Sequence, residues 1–415
     1  MLPRTTVSSI VSRTAPSRTA RRRAVRPILG RPVLDARVLD GPDGLRVELD
    51  PHAPRDVLLL NWRDLTNPEG GGSELYVEQL AARFAAAGDR VTLLCAEHDR
   101  APRDEVKDGV RYVRRGGRRT VYLWAAALLL LGRLGRRGPV VEVHNGVPFL
   151  ARLFTRRPVV VLVHHVHREQ WPVVFGPRAA RVGWWIESQL APRVNRRCRY
   201  VAVSEVTRHE LVELGVPAAN VEVIHNGTSP ARPTTAVRTA HPTLVVLGRV
   251  VPHKRVELVL QAAARLRAEL PGLRVEVAGD GYWLPRVEAE VAALGLEDVV
   301  VLHGRVSEQA KADLLARAWV HVVPSVKEGW GLSVVEAGSH GTPSVAFRAA
   351  GGLAESVVDG RSGLLVDDEA DLDDALRRLL HDEPLRALLG RGARLHAARF
   401  TWAATAAAFS TRLDA

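Results

Sequence analysis

Short runs of β-branched and aliphatic residues alternate with longer amphipathic stretches, and this alternation limits the fold more than any other feature. The pattern is typical of βαβ units, in which helices join and cover the parallel strands of a sheet. The predicted strands fall into two groups of six, at 57–61, 91–95, 140–144, 159–164, 200–204 and 221–224, and at 244–248, 273–278, 299–303, 320–323, 344–347 and 363–366. Each group suits one doubly wound sheet. The sequence therefore predicts an α/β protein with two parallel-sheet domains.

The length of 415 residues supports the same division, because one hydrophobic core rarely serves a chain of this size. Residues 228–242 are rich in Thr, Pro, Ala and Arg and lack apolar periodicity, which predicts a linker. We expect a first domain at 51–227 and a second at 243–400. An Ala-rich helix with two aromatic residues is predicted at 401–415 and should pack back toward the first domain.

Positive charge is concentrated at the start of the chain. The net charge is +12, but residues 1–32 hold eight arginines and no acid, which leaves +4 for the rest. We predict a basic, disordered segment at 1–50, although mitochondrial transit peptides have a similar composition. Only four of the 58 basic residues are lysines, which we interpret as the bias of a GC-rich bacterial genome. The weakly charged body argues against nucleic-acid binding.

The two cysteines, Cys95 and Cys198, lie far apart and belong to no CxxC or Cys/His array. This spacing argues against a disulfide scaffold and against a structural zinc site. We expect both thiols to pack as small hydrophobic groups in a cytoplasmic protein.

One apolar run, from Val121 to Leu131, is shorter than the ~18–20 residues needed to cross a bilayer. Arginines flank it on both sides, at Arg111, Arg114, Arg115, Arg118 and Arg119 before the run and at Arg133, Arg136 and Arg137 after it. One interpretation is a buried helix of an α/β layer. The other is a helix that also touches an anionic membrane surface, which would make the protein peripheral on the inner face of the plasma membrane.

A glycine-rich turn, Gly70-Gly71-Gly72-Ser73-Glu74, follows the first predicted strand and leads into a helix. Bare glycines let backbone amides approach a ligand, and the helix dipole favours an anion there. The turn is neither GxGxxG nor a Walker loop. A plain strand-to-helix turn with Ser73 as N-cap is the alternative.

A second loop, after strand 244–248, carries Arg249 and Lys254 five positions apart. Because ligands bind outside the carboxyl ends of parallel strands, these cations can converge on one polyphosphate. A solvated surface pair is the alternative.

A third loop, after strand 320–323, carries Glu328, and Glu336 follows inside the next helix. Carboxylates accept hydrogen bonds in pairs and can hold the vicinal hydroxyls of a sugar and of a ribose. The amides from Gly329 to Leu332 can face a phosphate. A buried acid at Glu336 would need a partner.

Taken in order, these loops resemble the motifs of retaining glycosyltransferases of family 4. That family has the GT-B architecture, in which two Rossmann-like domains face each other across a cleft. The resemblance covers about 56 to 405 and rests on Gly71-Gly72-Ser73-Glu74, Ser204-Glu205, Asn226-Gly227, Gly248-Arg249 with Lys254, Gly279-Asp280-Gly281, His303-Gly304, and the pair Glu328 and Glu336.

The resemblance implies a role for each loop. Arg249 and Lys254 would bind the donor diphosphate, Glu328 would hold hydroxyls of the donor sugar, and Glu336 would hold the nucleotide ribose. Arg305 and Val306 would belong to the base pocket. The remaining residues of the implied donor site are Gly71, Gly72, Gly329, Trp330, Gly331 and Leu332.

Three histidines, His164, His165 and His167, lie in the run PVVVLVHHVHREQW at the end of strand 159–164. The family commonly has a histidine here near the donor sugar, and His164 is the closest match, with His165 left open. A metal site is the rival interpretation, but neighbouring strand residues point to opposite faces and the resemblance implies no metal.

Three positions depart from the family pattern. Arg255 follows Lys254 where glycine is usual, and Thr228 and Ser229 follow the interdomain turn where a hydrophobic residue and an aspartate are usual. Trp330 stands where phenylalanine is commoner, a change that we expect to be tolerated.

The implied reaction transfers a hexose from a nucleotide-diphosphate sugar to a hydroxyl of a glycan, lipid-linked or small-molecule acceptor, with retention at the anomeric carbon and no cofactor. Two other hypotheses remain. A GT-B sugar-nucleotide epimerase would share much of the fold, and a basic nucleic-acid-binding protein would explain the charge but not the paired glutamates.

Overall fold

The computed structural model describes residues 36–41, 44–49 and 54–414. Two parallel β-sheets, each covered by helices on both faces, confirm the predicted α/β class. The strands are β1 Ala36–Gly41, β2 Gly44–Leu49, β3 Asp56–Leu60, β4 Arg90–Cys95, β5 Asp104–Lys107, β6 Val110–Arg114, β7 Val140–His144, β8 Val159–Val163, β9 Arg199–Ala202, β10 Val221–Val223, β11 Thr243–Leu247, β12 Arg274–Ala278, β13 Val300–Gly304, β14 Val320–Val323, β15 Ser344–Phe347 and β16 Gly363–Val366.

The first sheet has eight strands in the order β10-β9-β8-β7-β3-β4-β6-β5. All pairs are parallel except the edge pair β5 and β6. The six strands predicted for this sheet are present, but the expectation of six in total was wrong. The missed strands, DEVK and VRYVR, are short and interrupted by charged residues, so no continuous apolar run marks either of them.

The second sheet has six parallel strands in the order β13-β12-β11-β14-β15-β16, and all six were predicted. Its central strands are apolar and buried on both faces, as expected for a sheet with helices on each side.

Fourteen helices accompany the strands in the described part of the chain. They are α1 Gly72–Ala86, α2 Val121–Leu130, α3 Trp171–Val174, α4 Pro177–Trp185, α5 Ala191–Val194, α6 Glu205–Glu213, α7 Val256–Leu266, α8 Leu284–Ala293, α9 Glu308–Arg317, α10 Leu332–Ser339, α11 Leu353–Ser356, α12 Glu369–His381, α13 Glu383–Ala397 and α14 Trp402–Leu413. A π-helical turn, Ile186–Leu190, joins α4 to α5.

The segment predicted as disordered, 1–50, lies largely outside the described residues. Its described residues, 36–41 and 44–49, form the strands β1 and β2, which pair antiparallel.

The chain crosses from one domain to the other twice, and the two crossings lie side by side. No helix or strand lies between Val223 and Thr243 of the described chain. Here Gly227 packs against the backbone of Trp402, and the Thr228 amide donates to the carbonyl of Phe400. The interdomain turn therefore forms although its next residues differ from the family pattern.

The C-terminal helix α14 closes the first domain. Its Phe409 is fully buried and meets the rings of Tyr76 and Phe84 on α1, with ring centroids 6.3 Å apart in both pairs. Trp402 lies 5.8 Å from Tyr76 in an edge-to-face arrangement. The helix thus belongs to the core of the first domain although it follows the second in sequence.

We expect Phe409→Ala to lower the free energy of unfolding by ~3–5 kcal/mol, because it leaves a cavity against α1. Chemical denaturation measures this loss. Leu388→Ala is the matched control, since that side chain is 54% exposed on α13 and should change stability by less than ~0.5 kcal/mol. Equal effects of the two substitutions would contradict the packing of α14 onto the first domain.

Candidate active site

The glycine-rich turn lies at the cleft edge of the first domain and faces the second. Helix α1 begins at Gly72 with Gly71 as its N-cap, so Ser73 is not the cap. A Cβ atom on Gly71 would lie 3.8 Å from Arg249 Nε, and one on Gly72 would lie 2.9 Å from Leu332 Cδ1. The glycine-rich turn of the first domain thus lies against Arg249 and Leu332 of the second.

The carboxylate of Glu74 fixes the conformation of the glycine-rich turn. Its buried carboxylate accepts hydrogen bonds from the Gly71 amide at 2.7 Å and the Ser73 hydroxyl at 2.7 Å. Arg63 Nε lies 3.0 Å from the same carboxylate. Burial opposes ionisation, but the Arg63 charge and these hydrogen bonds hold the pKa of Glu74 below its usual value. The turn is thus fixed by an ionised carboxylate at neutral pH.

Arg249 projects into the cleft from the loop after β11 and remains exposed. The backbone of this loop contacts the backbone of the loop after β12, and this contact fixes its conformation. Gly279 adopts φ of +147°, and a Cβ atom on it would lie 1.7 Å from the Gly248 carbonyl oxygen. Only glycine fits there, which gives the Gly279-Asp280-Gly281 motif a structural reason.

Lys254 and Glu328 form an ion pair on the floor of the second domain's side of the cleft. Glu328 also accepts a hydrogen bond from Ser325 Oγ at 2.6 Å. Burial disfavours its charge, yet the Lys254 ammonium and the Ser325 hydroxyl keep the pKa of Glu328 below its usual value. The predicted cation and carboxylate thus lie at one point, and each neutralises the other.

The loop that carries Glu328 touches the first domain at its next residue. A Cβ atom on Gly329 would lie 2.1 Å from the carbonyl oxygen of His164. Gly331 is the N-cap of α10 with φ of +100°, a left-handed conformation that favours glycine. The start of α10 is therefore aimed at the cleft.

Trp330 points away from the cleft. Its indole is buried, stacks on His225 with ring centroids 4.3 Å apart, and meets Phe400 edge-on at 4.9 Å. Only the backbone of Trp330 is left to face a ligand, so its side chain secures the place where the chain passes between the domains.

Glu336 lies inside α10 and does not share the partners of Glu328. Its carboxylate accepts a hydrogen bond from Lys311 Nζ at 2.7 Å, and Lys311 also lies 2.8 Å from Glu308. Burial raises the pKa of Glu336 against the pull of the Lys311 ammonium. The partner required for a partly buried acid is thus Lys311.

Arg305 and Val306, assigned to the base pocket, follow the end of β13. The Arg305 guanidinium donates to the Pro68 carbonyl of the first domain at 2.6 Å, and Val306 packs against a small apolar cluster that contains Leu314. Arg305 therefore connects the two rims of the cleft in this structure.

The three histidines separate as strand alternation predicts. His164 is buried with its ring 5.4 Å from that of Tyr76, and burial lowers its pKa to about 4, so the imidazole is neutral at pH 7. His165 contacts Gln170, and His167 contacts the buried Glu187 at 3.0 Å. Across the described residues, no three His, Cys, Asp or Glu side chains are grouped to hold a metal ion.

Two further contacts hold the cleft in its observed geometry. Lys327, beside Glu328, pairs with Glu210 and lies 3.2 Å from Glu169, both of the first domain. Glu355 of the second domain accepts hydrogen bonds at 2.9 Å from the amides of Glu205 and Val206 at the start of α6. An anion at a helix N-terminus is stabilised by the free amides and the dipole.

Sequence reasoning missed Arg63, Lys311, Lys327 and Glu355. Arg63 follows β3 directly, so the rule that ligands bind at carboxyl ends of strands could have found it. Three of the chain's four lysines pair with glutamates at this site, and their scarcity was a usable signal. Glu355 had no local signal, because its partner is a helix end 150 residues away.

Arg255 stands where the family usually has glycine, and its backbone shows why. It adopts φ of +48° and ψ of +43°, a left-handed conformation that is unfavourable for a residue with a side chain. Its guanidinium donates to the Pro324 carbonyl at 2.7 Å and lies 4.4 Å from the centre of the Phe347 ring. Arg255 therefore ties the Lys254 loop to the loop that carries Glu328.

Two parallel-sheet domains thus face each other across a cleft, with a glycine-rich turn on one side and the charged loops of the second domain on the other. The family descriptions Glycosyltransferase Family 4 and Glycosyl transferases group 1 match residues 70–232 and 230–396 respectively. The chain belongs to glycosyltransferase family 4, as its motifs had indicated.

Its relatives include proteins named D-inositol 3-phosphate glycosyltransferase. That of Streptosporangium roseum is 31% identical over 391 residues, covering 82% of this chain and 87% of the relative. That of Nocardioides sp. is 31% identical and covers 88% and 91%. A third, from Kribbella flavida, is 36% identical over 230 residues, and that match spans 50% of this chain and 54% of the relative, about half its length.

Solved structures share the fold. Sucrose-phosphate synthase from Thermosynechococcus elongatus superposes with a TM-score of 0.72 at 21% identity, covering 86% of this chain and 97% of the other. Anabaena Alr3699/HepE in complex with UDP-glucose gives 0.67 at 18% identity, covering 86% and 99%. The GT-B prediction is therefore confirmed.

We expect Arg255→Gly to be more stable than Arg255→Ala by ~1–2 kcal/mol, because both lose the guanidinium contacts but only alanine keeps the left-handed strain. Chemical denaturation of the two variants measures the difference. The order should reverse at Glu288, an exposed position inside α8, where alanine should exceed glycine by ~1 kcal/mol. The same order at both positions would contradict strain at Arg255.

Proposed function

We propose that this protein transfers a hexose from a nucleotide-diphosphate sugar to an acceptor hydroxyl with retention at the anomeric carbon. The observation that carries the proposal is the meeting of Arg249, Lys254 and Glu328 on one side of the cleft, opposite the Gly71-Gly72 turn and His164. Support comes from Alr3699/HepE, which shares the fold and whose structure holds UDP-glucose. We place the reaction in the cytoplasm, where the two buried cysteines would stay as free thiols.

The diphosphate would lie between the glycine turn and the two cations. Arg249 has an exposed guanidinium that can bind two phosphate oxygens at once, and Lys254 supplies a point charge five residues away. The starts of α1 and α10 lie close together, since a Cβ atom on Gly72 would be 2.9 Å from Leu332 Cδ1, and free N–H groups at these helix starts would favour an anion. This charge would stabilise the diphosphate as it leaves.

The transferred sugar would lie against Glu328, whose carboxylate can accept hydrogen bonds from two hydroxyls. On the other side, His164 Nε2 is buried and has no hydrogen-bond partner among the described residues. A neutral imidazole can donate or accept a hydrogen bond to a sugar hydroxyl. The ribose would lie against Glu336, and the base near Arg305 and Val306.

Retention follows from attack on the same face that the leaving group departs from. The bond between the anomeric carbon and the phosphate oxygen breaks, the bond to the acceptor oxygen forms, and the acceptor proton passes to the leaving diphosphate. Glu328 is already engaged by Lys254 and Ser325, which disfavours it as a nucleophile. Catalysis then rests on positioning and on charge stabilisation across the cleft.

We expect Arg249→Ala and Lys254→Ala each to lower turnover by ~10²–10³, because each removes a preorganised charge from the leaving diphosphate. Initial rates with a nucleotide-sugar donor measure the loss, and Arg286→Ala, an exposed arginine of α8, is the matched control. Near-normal turnover in both variants would contradict the diphosphate site.

The same assay should be unaffected by EDTA, since these cations take the place of a metal. Activity that is lost to EDTA and restored by manganese or magnesium would also contradict the diphosphate site.

Substitution of Glu328 should mainly affect sugar transfer, whereas substitution of Glu336 should mainly affect nucleotide binding. Glu328→Gln should lower transfer more than it weakens binding of the free nucleotide diphosphate, because its carboxylate faces the sugar. Glu336→Gln should weaken the nucleotide diphosphate itself by roughly 1–3 kcal/mol, as expected when a charged hydrogen bond to the ribose is lost. Calorimetry beside initial rates measures both effects.

Glu308→Gln is the control for Glu336→Gln, since Glu308 is the other partner of Lys311 and its side chain is 63% exposed. It should leave nucleotide affinity unchanged. If Glu328→Gln and Glu336→Gln weaken the nucleotide equally, or neither does, the division of roles is wrong and Glu336 serves only to hold Lys311.

A further inference from the structure

Helix α2 presents apolar side chains to solvent as well as to the core. Val121, Ala125 and Leu129 are buried against the first sheet. The opposite stripe is also apolar, and its exposed side chains are Leu123 at 70%, Trp124 at 44%, Leu130 at 66% and Leu131 at 63%. Counted from Leu123, the other three lie one, seven and eight positions further on, which places all four on one face of the helix. A helix on the surface of an α/β domain normally has polar residues there.

The chain around this face is strongly basic. Residues 115–158 contain one acid, Glu142, which is fully buried and accepts a hydrogen bond from the Ala151 amide at 2.6 Å. Six exposed arginines surround the apolar stripe: Arg118, Arg119, Arg133, Arg136, Arg137 and Arg156. A surface pocket lined by Leu130, Arg136, Arg137 and Arg156 lies at the end of the helix. The exposed face of α2 thus has an apolar centre and a rim of arginines.

We propose that this face of α2 lies on an anionic membrane surface. The helix has ten residues and is about 15 Å long, half of the ~30 Å hydrocarbon core, so it would lie in the plane of the interface. Leucine side chains would enter the acyl boundary, Trp124 suits the interface, and the arginines would meet lipid phosphates. None of the helices described in the structure has the length and apolar character to cross a bilayer.

A second copy of the chain fits the face less well, because pairing two such faces would bring the arginine rims together. An anionic bilayer complements both the apolar stripe and its rim.

The face also borders the cleft. Arg118, just before α2, lies with its guanidinium 5.5 Å from the centre of the Trp62 ring, and Arg63 covers the same ring at 4.2 Å. Arg63 in turn pairs with Glu74 beneath the glycine turn. A membrane on α2 would therefore lie beside the first-domain rim of the cleft, where a lipid-linked acceptor could enter. Binding to the membrane does not require the proposed reaction, whereas presenting such an acceptor rests on it.

Vesicle flotation with the full chain tests the proposal and needs no sugar donor. The protein should float with vesicles of phosphatidylcholine and phosphatidylglycerol, much less with phosphatidylcholine alone, and less at high salt. Arg133→Ala/Arg136→Ala/Arg137→Ala should lower partitioning on the order of 100-fold, about fivefold for each cation. Leu123→Ser/Leu130→Ser/Leu131→Ser should lower it at least about tenfold, since apolar burial is lost.

Leu395→Ser/Arg391→Ala on α13 is the matched control, because Leu395 is 75% exposed and Arg391 is exposed on the second domain. This control should float like the unaltered protein. All the variants should unfold at the same midpoint as the unaltered protein. Undiminished flotation of both α2 variants would assign binding to the eight arginines of residues 1–32 and overturn the proposal. So would equal binding to neutral vesicles, or a lipid-free dimer that the leucine substitutions abolish.

Discussion

The two domains meet where the backbone of Gly329 reaches the carbonyl oxygen of His164. A side chain at residue 329 would lie 2.1 Å from that oxygen, so its absence sets how far the cleft can close. The preceding residues are brought in by the same contact, which places Lys327 against Glu210 and Glu328 opposite the glycine turn. The geometry of the site therefore depends on this backbone approach, together with the contacts that Lys327 and Glu355 make across the cleft.

Three lysines at the cleft are each paired with a glutamate. Lys254 pairs with Glu328, Lys311 with Glu336 and Lys327 with Glu210. Pairing keeps partly buried charges from being left without compensation, which would cost several kcal/mol. A ligand with both anionic phosphates and neutral hydroxyls can take over these partners in turn, because phosphates suit the lysines and hydroxyls suit the carboxylates. The pairs thus stabilise the cleft and are chemically suited to being exchanged for contacts with such a ligand.

Most of the fold could be predicted from local patterns, because buried parallel strands such as β8 and β14 are short continuous apolar runs between turns. The strands β5 and β6 could not, since both are short and charged residues interrupt their apolar stretches. At the site, loops after strands drew attention to Arg249 and Glu328. The contact from Glu355 to α6 depends on the relative placement of the domains, which no local pattern contains.

The chain crosses between the domains twice, and the crossings touch: Gly227 lies on the backbone of Trp402, and Thr228 pairs with Thr401. Two adjacent chain crossings would let one domain rotate relative to the other about the line that joins the crossings. They would resist translation of the domains past each other and rotation about other axes. Widening of the cleft would then be small beside Trp330, which packs against this crossing, and greatest at the far rim, where Arg305 meets Pro68. Substrate would enter at the rim while the floor kept its geometry.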